Sequence, residues 1–210
     1  MLSLTSLLEI VLLLNFFILG AGRVRTVLYL VAVQGVVLGM APLWVEHTLQ
    51  TALLASITVV VKGIVIPRLL FYAMRDVTIG PEIRPLGGFI TSLLLGAAGT
   101  GLAIWISHTL PLRESGPTQL VVPASLATLF TGFLMLVTRV RTIGQTLAYL
   151  VLENGVFVFG LLLVEAVPAM VEAGVLLDLF VAVFVMGIII QHINRALDPV
   201  GVQHLSALKE

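Results

Sequence analysis

The sequence predicts an all-α, polytopic integral membrane protein of about seven transmembrane helices, N-terminus outside and C-terminus inside. Three observations predict it. Of 210 residues, 59% are hydrophobic and only 10% charged, against about 25% charged in a soluble domain. Mean hydropathy is +1.15, a value typical of a membrane chain. Apolar runs long enough to cross a bilayer recur along the whole chain, separated by short polar breaks.

A crossing takes roughly 20 apolar residues. On that ruler the segments fall near 4–20, 26–44, 50–72, 87–107, 119–138, 145–166 and 174–193. The first basic residues, Arg23 and Arg25, follow the first run. A cleaved signal carries its positive charge ahead of the apolar core, so a retained helix is expected. The second segment carries Gly35-x-x-x-Gly39 and the fourth is rich in small residues from Gly96 to Ala103. Small faces let helices approach closely in lipid. The third contains Pro67, which cannot bond back to Gly63, so a kink is expected near Lys62–Gly63. No segment alternates with the two-residue period of a barrel strand.

Basic residues set the orientation. Arg23 and Arg25, then Arg75 and Arg84, then Arg139 and Arg141, then Arg195 and Lys209 follow segments one, three, five and seven. Arg113 alone falls on the other side. The basic side is the cytoplasmic one, which also supports an odd helix count.

Several classes drop out. With no cysteine the chain ligates no iron–sulfur cluster and forms no disulfide. Zero net charge gives no pull toward nucleic acid. Four scattered histidines make no metal-ligand spacing, and no Walker, Rossmann or nucleophile-elbow pattern occurs. Loops of roughly a dozen residues leave no soluble catalytic domain.

The informative residues are polar groups inside apolar helices, costly there unless they face a partner or water. Glu153, in "YLVLENG", stands about 12 Å into the sixth segment at 1.5 Å per residue. Desolvation penalises its ionised form, so it can exchange a proton near neutrality. Lys62 lies near the middle of the third segment and can do the same, or serve as the counter-charge of Glu153. Asp178, at the outer start of segment seven, is a further relay candidate or a solvated helix-start carboxylate. His192 follows four turns later on the same face, as a relay group or a wet interfacial side chain. Asn154 and Tyr149 are supporting polar groups. Glu9, Asn15 and Gln34 are expected to make interhelical hydrogen bonds or reach headgroups.

The runs "GQTLAYLVLENGVFVFGLLL" and "GVLLDLFVAVFVMGIIIQHINR", with the tail "LSALKE", resemble the membrane E subunit of hydrogenase-4-type complexes, including formate-hydrogenlyase-like assemblies. The resemblance is strongest over 139–210 and divides the chain there from a five-helix region, 1–138. The last three helices are similar to the K subunit of respiratory complex I and the C subunit of multisubunit cation/proton antiporters. The resemblance implies a prokaryotic cytoplasmic membrane, antiporter-like membrane subunits as neighbours, peripheral hydrogenase subunits beyond them, and surrounding lipid. It implies no cofactor in this chain, with nickel–iron and iron–sulfur centres in partner subunits. It matches Glu153 to a proton-relay glutamate and makes Asp178 a family-motif acid. Lys62 has no counterpart in a three-helix relative.

The expected function is a non-redox subunit lending buried ionisable groups to a proton path. Rival readings are a purely structural subunit with a static Glu153–Lys62 bridge, a subunit of a cation/proton antiporter, and a stand-alone secondary transporter. Seven short-looped helices without an evident inverted repeat speak against the last.

Overall fold

A computed structural model describes residues 3–44, 48–75, 85–110, 119–162 and Gly187. Their elements are helical throughout. Helix α1 is Leu4–Gly20, and Ser3 caps it by accepting from the Ser6 N–H at 3.2 Å. Helix α2 is Val24–Met40, closed by a 3-10 turn, Ala41–Trp44. The third span has three pieces: α3 Leu49–Val60, a π-helical turn Val61–Val65, and α4 Ile66–Arg75. Then come α5 Gly88–Thr109, α6 Val121–Thr138 and α7 Thr142–Gly160.

Six of the seven expected segments are therefore helices. Five of them are long and apolar enough to cross a membrane, and α1 is a shorter apolar helix. The seventh segment, 174–193, lies outside the described residues apart from Gly187. The sixth starts earlier than expected, at Thr142, which puts Glu153 eleven residues in, about 17 Å at the helical rise. The kink expected before Pro67 takes a definite form. Proline leaves the Gly63 carbonyl without its usual donor, and the chain widens into a π turn in which the Ile66 N–H reaches back to Val61 O.

Helices α1, α2, α6 and α7 form the core, with α5 packed on α1 and α6 and the third span packed on α2. The pair α6–α7 is the tightest, and glycines explain it. A Cβ on Gly132 would lie 2.6 Å from the Leu152 backbone nitrogen, and one on Gly155 2.7 Å from that of Leu129. Neither position has room for a side chain, so the two backbones touch on either side of Glu153. The Gly35-x-x-x-Gly39 face packs the third span in the same way. A Cβ on Gly35 would lie 2.8 Å from Lys62 Cβ, and one on Gly39 2.9 Å from Val59 Cγ2.

The end of α1, the start of α5 and the end of α6 share one end of the bundle. Arg139, 1% exposed, donates from Nη2 to Leu19 O at 3.4 Å and Ala21 O at 3.3 Å. It thereby caps open carbonyls at the end of α1. The Leu86 N–H donates to Thr138 O at 3.1 Å and brings the start of α5 to that end. Burial lowers the pKa of the Arg139 guanidinium from its ordinary value.

Candidate functional site: a buried ion pair and an amide string

Lys62 leaves the π turn of the third span and points into the bundle. Gly35 permits this by letting the two backbones close together. The Lys62 Nζ lies 2.9 Å from Glu153 Oε1. It also donates to Asn154 Oδ1 at 3.0 Å and sits 5.0 Å from the centroid of the Phe157 ring, a cation–π distance. Lysine thus meets two successive residues of α7 and the ring one turn on.

From Asn154 the polar contacts continue across the bundle. Asn154 Nδ2 donates to Gln34 Oε1 at 3.1 Å. Gln34 Nε2 donates to Asn15 Oδ1 at 2.8 Å. Asn15 Nδ2 donates to Thr128 Oγ1 at 2.9 Å, and the threonine hydroxyl donates to Ala124 O at 2.7 Å. One line of bonds joins the third span, α7, α2, α1 and α6. Its six side chains are between 0% and 6% exposed. Each stands roughly 10 to 20 Å from the start of its helical span at the usual rise, so all share one level of the bundle.

A narrow recess of about 10 Å³ adjoins the ion pair, lined by Leu28, Gly35, Lys62, Pro67, Leu150 and Glu153 among others. It is partly open to the outside, and its size is at the lower limit for one water molecule. It lies on the side of the pair facing the end that carries Arg139. No Cα of the described third span comes within 8 Å of an α7 Cα. The lysine side chain bridges that gap.

The structure brings Lys62, Glu153 and Asn154 together. Tyr149 stands one turn before Glu153 on α7, half-buried against the adjoining apolar cluster. Asp178 and His192 lie outside the described residues. Glu9 is exposed on the outer face of α1. Asn15 and Gln34 make the interhelical bonds expected of them, yet sequence reasoning did not attach them to the ion pair, and Thr128 was not singled out. Their common depth in three helices is the signal that could have found them.

Fold and site together define a class: a polytopic helical membrane protein that seats an acid–base pair in a hydrogen-bonded core. Comparison with known proteins adds to this. The chain is 29% identical over 190 residues to an uncharacterized protein of Mycobacterium tuberculosis, covering 89% of this chain and 86% of that one. It is 26% identical over 150 residues to hydrogenase-4 component E of Escherichia coli K12, covering 71% of this chain and 69% of that protein. Shigella flexneri hydrogenase-4 component E matches to the same degree. No family model and no solved structure matches the chain.

Proposed function

We propose that this chain is a membrane subunit of an energy-converting hydrogenase or a complex I-like assembly, and that Glu153 and Lys62 form a station on its proton path. The observation that carries the reading is the 2.9 Å contact between Lys62 Nζ and Glu153 Oε1, buried inside the bundle and beside a narrow recess. Two charges withdrawn from water each cost several kcal/mol, and proton exchange is the use that rewards keeping them ionisable. The similarity to hydrogenase-4 component E supports the kind of assembly.

In this reading a proton arrives from the recess, neutralises the Glu153 carboxylate and passes to a polar group of a neighbouring helix or subunit. Asp178 and His192 are the further stations. Antiporter-like membrane subunits flank the chain in a prokaryotic cytoplasmic membrane, with the C-terminus inside. Redox chemistry at nickel–iron and iron–sulfur centres belongs to partner subunits, since this chain has no cysteine for either.

The test is Glu153→Gln in the assembled complex reconstituted in vesicles. The variant should assemble and lose proton movement coupled to turnover. Full proton movement in the variant would refute the path.

A second reading has its own observation. Lys62 spans a gap that no backbone closes, as a static clamp would. The clamp predicts that Glu153→Gln loses assembly and that neutralising Lys62 as well restores it.

A further inference from the structure

The polar line running away from Lys62 has a direction, and its ends fix it. A lysine ammonium can only donate, so Asn154 must present its oxygen to it. The Ala124 carbonyl can only accept, so the Thr128 hydroxyl is committed to it and must accept from Asn15. Between these ends the amides of Asn154, Gln34 and Asn15 have one arrangement that satisfies every bond: each oxygen faces the lysine end and each NH₂ faces Thr128. Three carboxamide dipoles therefore point their negative ends at one cation. Such bonds polarise one another along a chain, and the low-dielectric interior strengthens each.

The string is also ill suited to carrying protons. A carboxamide passing a proton would accept it on oxygen and release another from nitrogen, which leaves the amide as its imidic acid tautomer. Three such steps would be needed, and the last would deliver to a threonine facing a backbone carbonyl. It can hold a charge in place far better than move one.

We propose that Asn15 and Gln34 are positioning residues whose amides, with Asn154, act as a dipolar counter-charge for the Lys62 ammonium and keep the shared proton on lysine. The inference deepens the proton-path reading and rests on it for its purpose. A neutral lysine–glutamic acid pair and a charged lysine–glutamate pair differ by the place of one proton. Stabilising the cation selects the charged form and leaves the Glu153 carboxylate able to take up a second proton from the recess. When it does so, Lys62 loses its anionic partner and keeps its dipolar one. Glu153 can then release that proton onward with the lysine still in place. Lys62 and Glu153 are the ionisable groups among the described residues buried at this level.

Infrared spectroscopy of the full chain in lipid vesicles tests it. The protonated carboxyl stretch of Glu153 is assigned by its loss in Glu153→Gln. At neutral pH the parent should show Glu153 ionised. In Gln34→Leu the ratio of protonated to ionised Glu153 should rise roughly fivefold, the scale of one net hydrogen bond. In Thr128→Val, nearly isosteric and at the far end, it should rise roughly twofold, so the inference stays testable if Gln34→Leu fails to fold. Leu8→Ala, buried but off the string, should leave the band unchanged. An unchanged band in folded Gln34→Leu or Thr128→Val, a protonated Glu153 in the parent, or an equal rise in Leu8→Ala would overturn it. This readout needs no transport. If Glu153→Gln pumps normally the path reading fails, while the infrared bands still decide the role of the string.

Discussion

Two helical spans flank the four-helix core, and they bury stripes of the same spacing. From Leu49 to Val65 the buried residues of the third span are Thr51, Ala55, Thr58 and Lys62, with Ile66 and Leu70 buried further on; in α5 they are Ser92, Gly96, Gly99 and Ala103. Both stripes follow the i, i+4, i+7, i+11 pattern of one helix face. Both spans turn large apolar side chains outward, Leu53 and Ile57 in one, Leu94 and Trp105 in the other. The stripes differ in chemistry. The α5 stripe is small, and neighbours fill its space: a Cβ on Gly96 would collide with Leu19 Cδ1, and one on Gly99 with the Phe130 ring. In the third span the small residues are on the partner, α2, and the stripe includes a charged side chain that crosses to α7. The contrast shows that close packing is general in this fold, whereas placing a charge inside it is local. A helix held by shape alone can be replaced by any helix of the right shape; one held through Lys62 cannot.

The largest effect should come from breaking that difference. Lys62→Ala leaves Glu153 without its cation and Asn154 without its donor. Removing one partner of a buried pair costs about 3–5 kcal/mol. Thermal unfolding in mild detergent should show the loss, and Lys62→Ala combined with Glu153→Leu should recover part of it. No recovery in the double variant would mean that lysine packing, not charge, holds the third span.

A middle-sized effect should follow from closing the α2 groove. Gly35→Val adds a branched side chain whose Cβ would lie 2.8 Å from Lys62 Cβ. Overpacking of this kind costs about 1–3 kcal/mol. Because it pushes lysine away from α7, it should also impair coupled proton movement. Gly99→Val in α5 should cost similar stability through Phe130 and leave proton movement near the parent level. Equal functional damage from both would erase the distinction between the two spans.

Much of this was legible in the sequence, for reasons that can be named. The six helices were readable because a bilayer fixes their length and apolarity. Glu153 and Lys62 stood out because a charge in an apolar run has few explanations. Pro67 announced a distortion beside Lys62, although that it would be a π turn depends on which carbonyl finds a donor in three dimensions. Arg139 was read as one of the basic loop residues, and its burial against the end of α1 has no sequence signature. The amide string was not legible as a unit. Asn15, Gln34 and Thr128 are ordinary singly, and only the rotation of four helices about their axes brings them onto one line. Residue depth can be read from numbering; rotation is set by packing, here by Gly132 against Leu152 and Gly155 against Leu129.

The smallest effect should come from Gly101, and it sharpens the comparison by its sign. Gly101 belongs to the small-residue cluster of α5, yet it is exposed and a Cβ there would meet nothing within 4 Å. Sequence alone groups it with Gly96 and Gly99, which pack. If close approach is what keeps glycine in α5, Gly101→Ala should be neutral or stabilising by up to about 1 kcal/mol, the helix-propensity difference. Gly96→Ala should destabilise. Thermal unfolding of the isolated chain separates these signs. A destabilised Gly101→Ala there would mean that this face already packs within the chain. Loss that appears only in the assembled complex would instead identify Gly101 as the point where another subunit's helix comes close to α5.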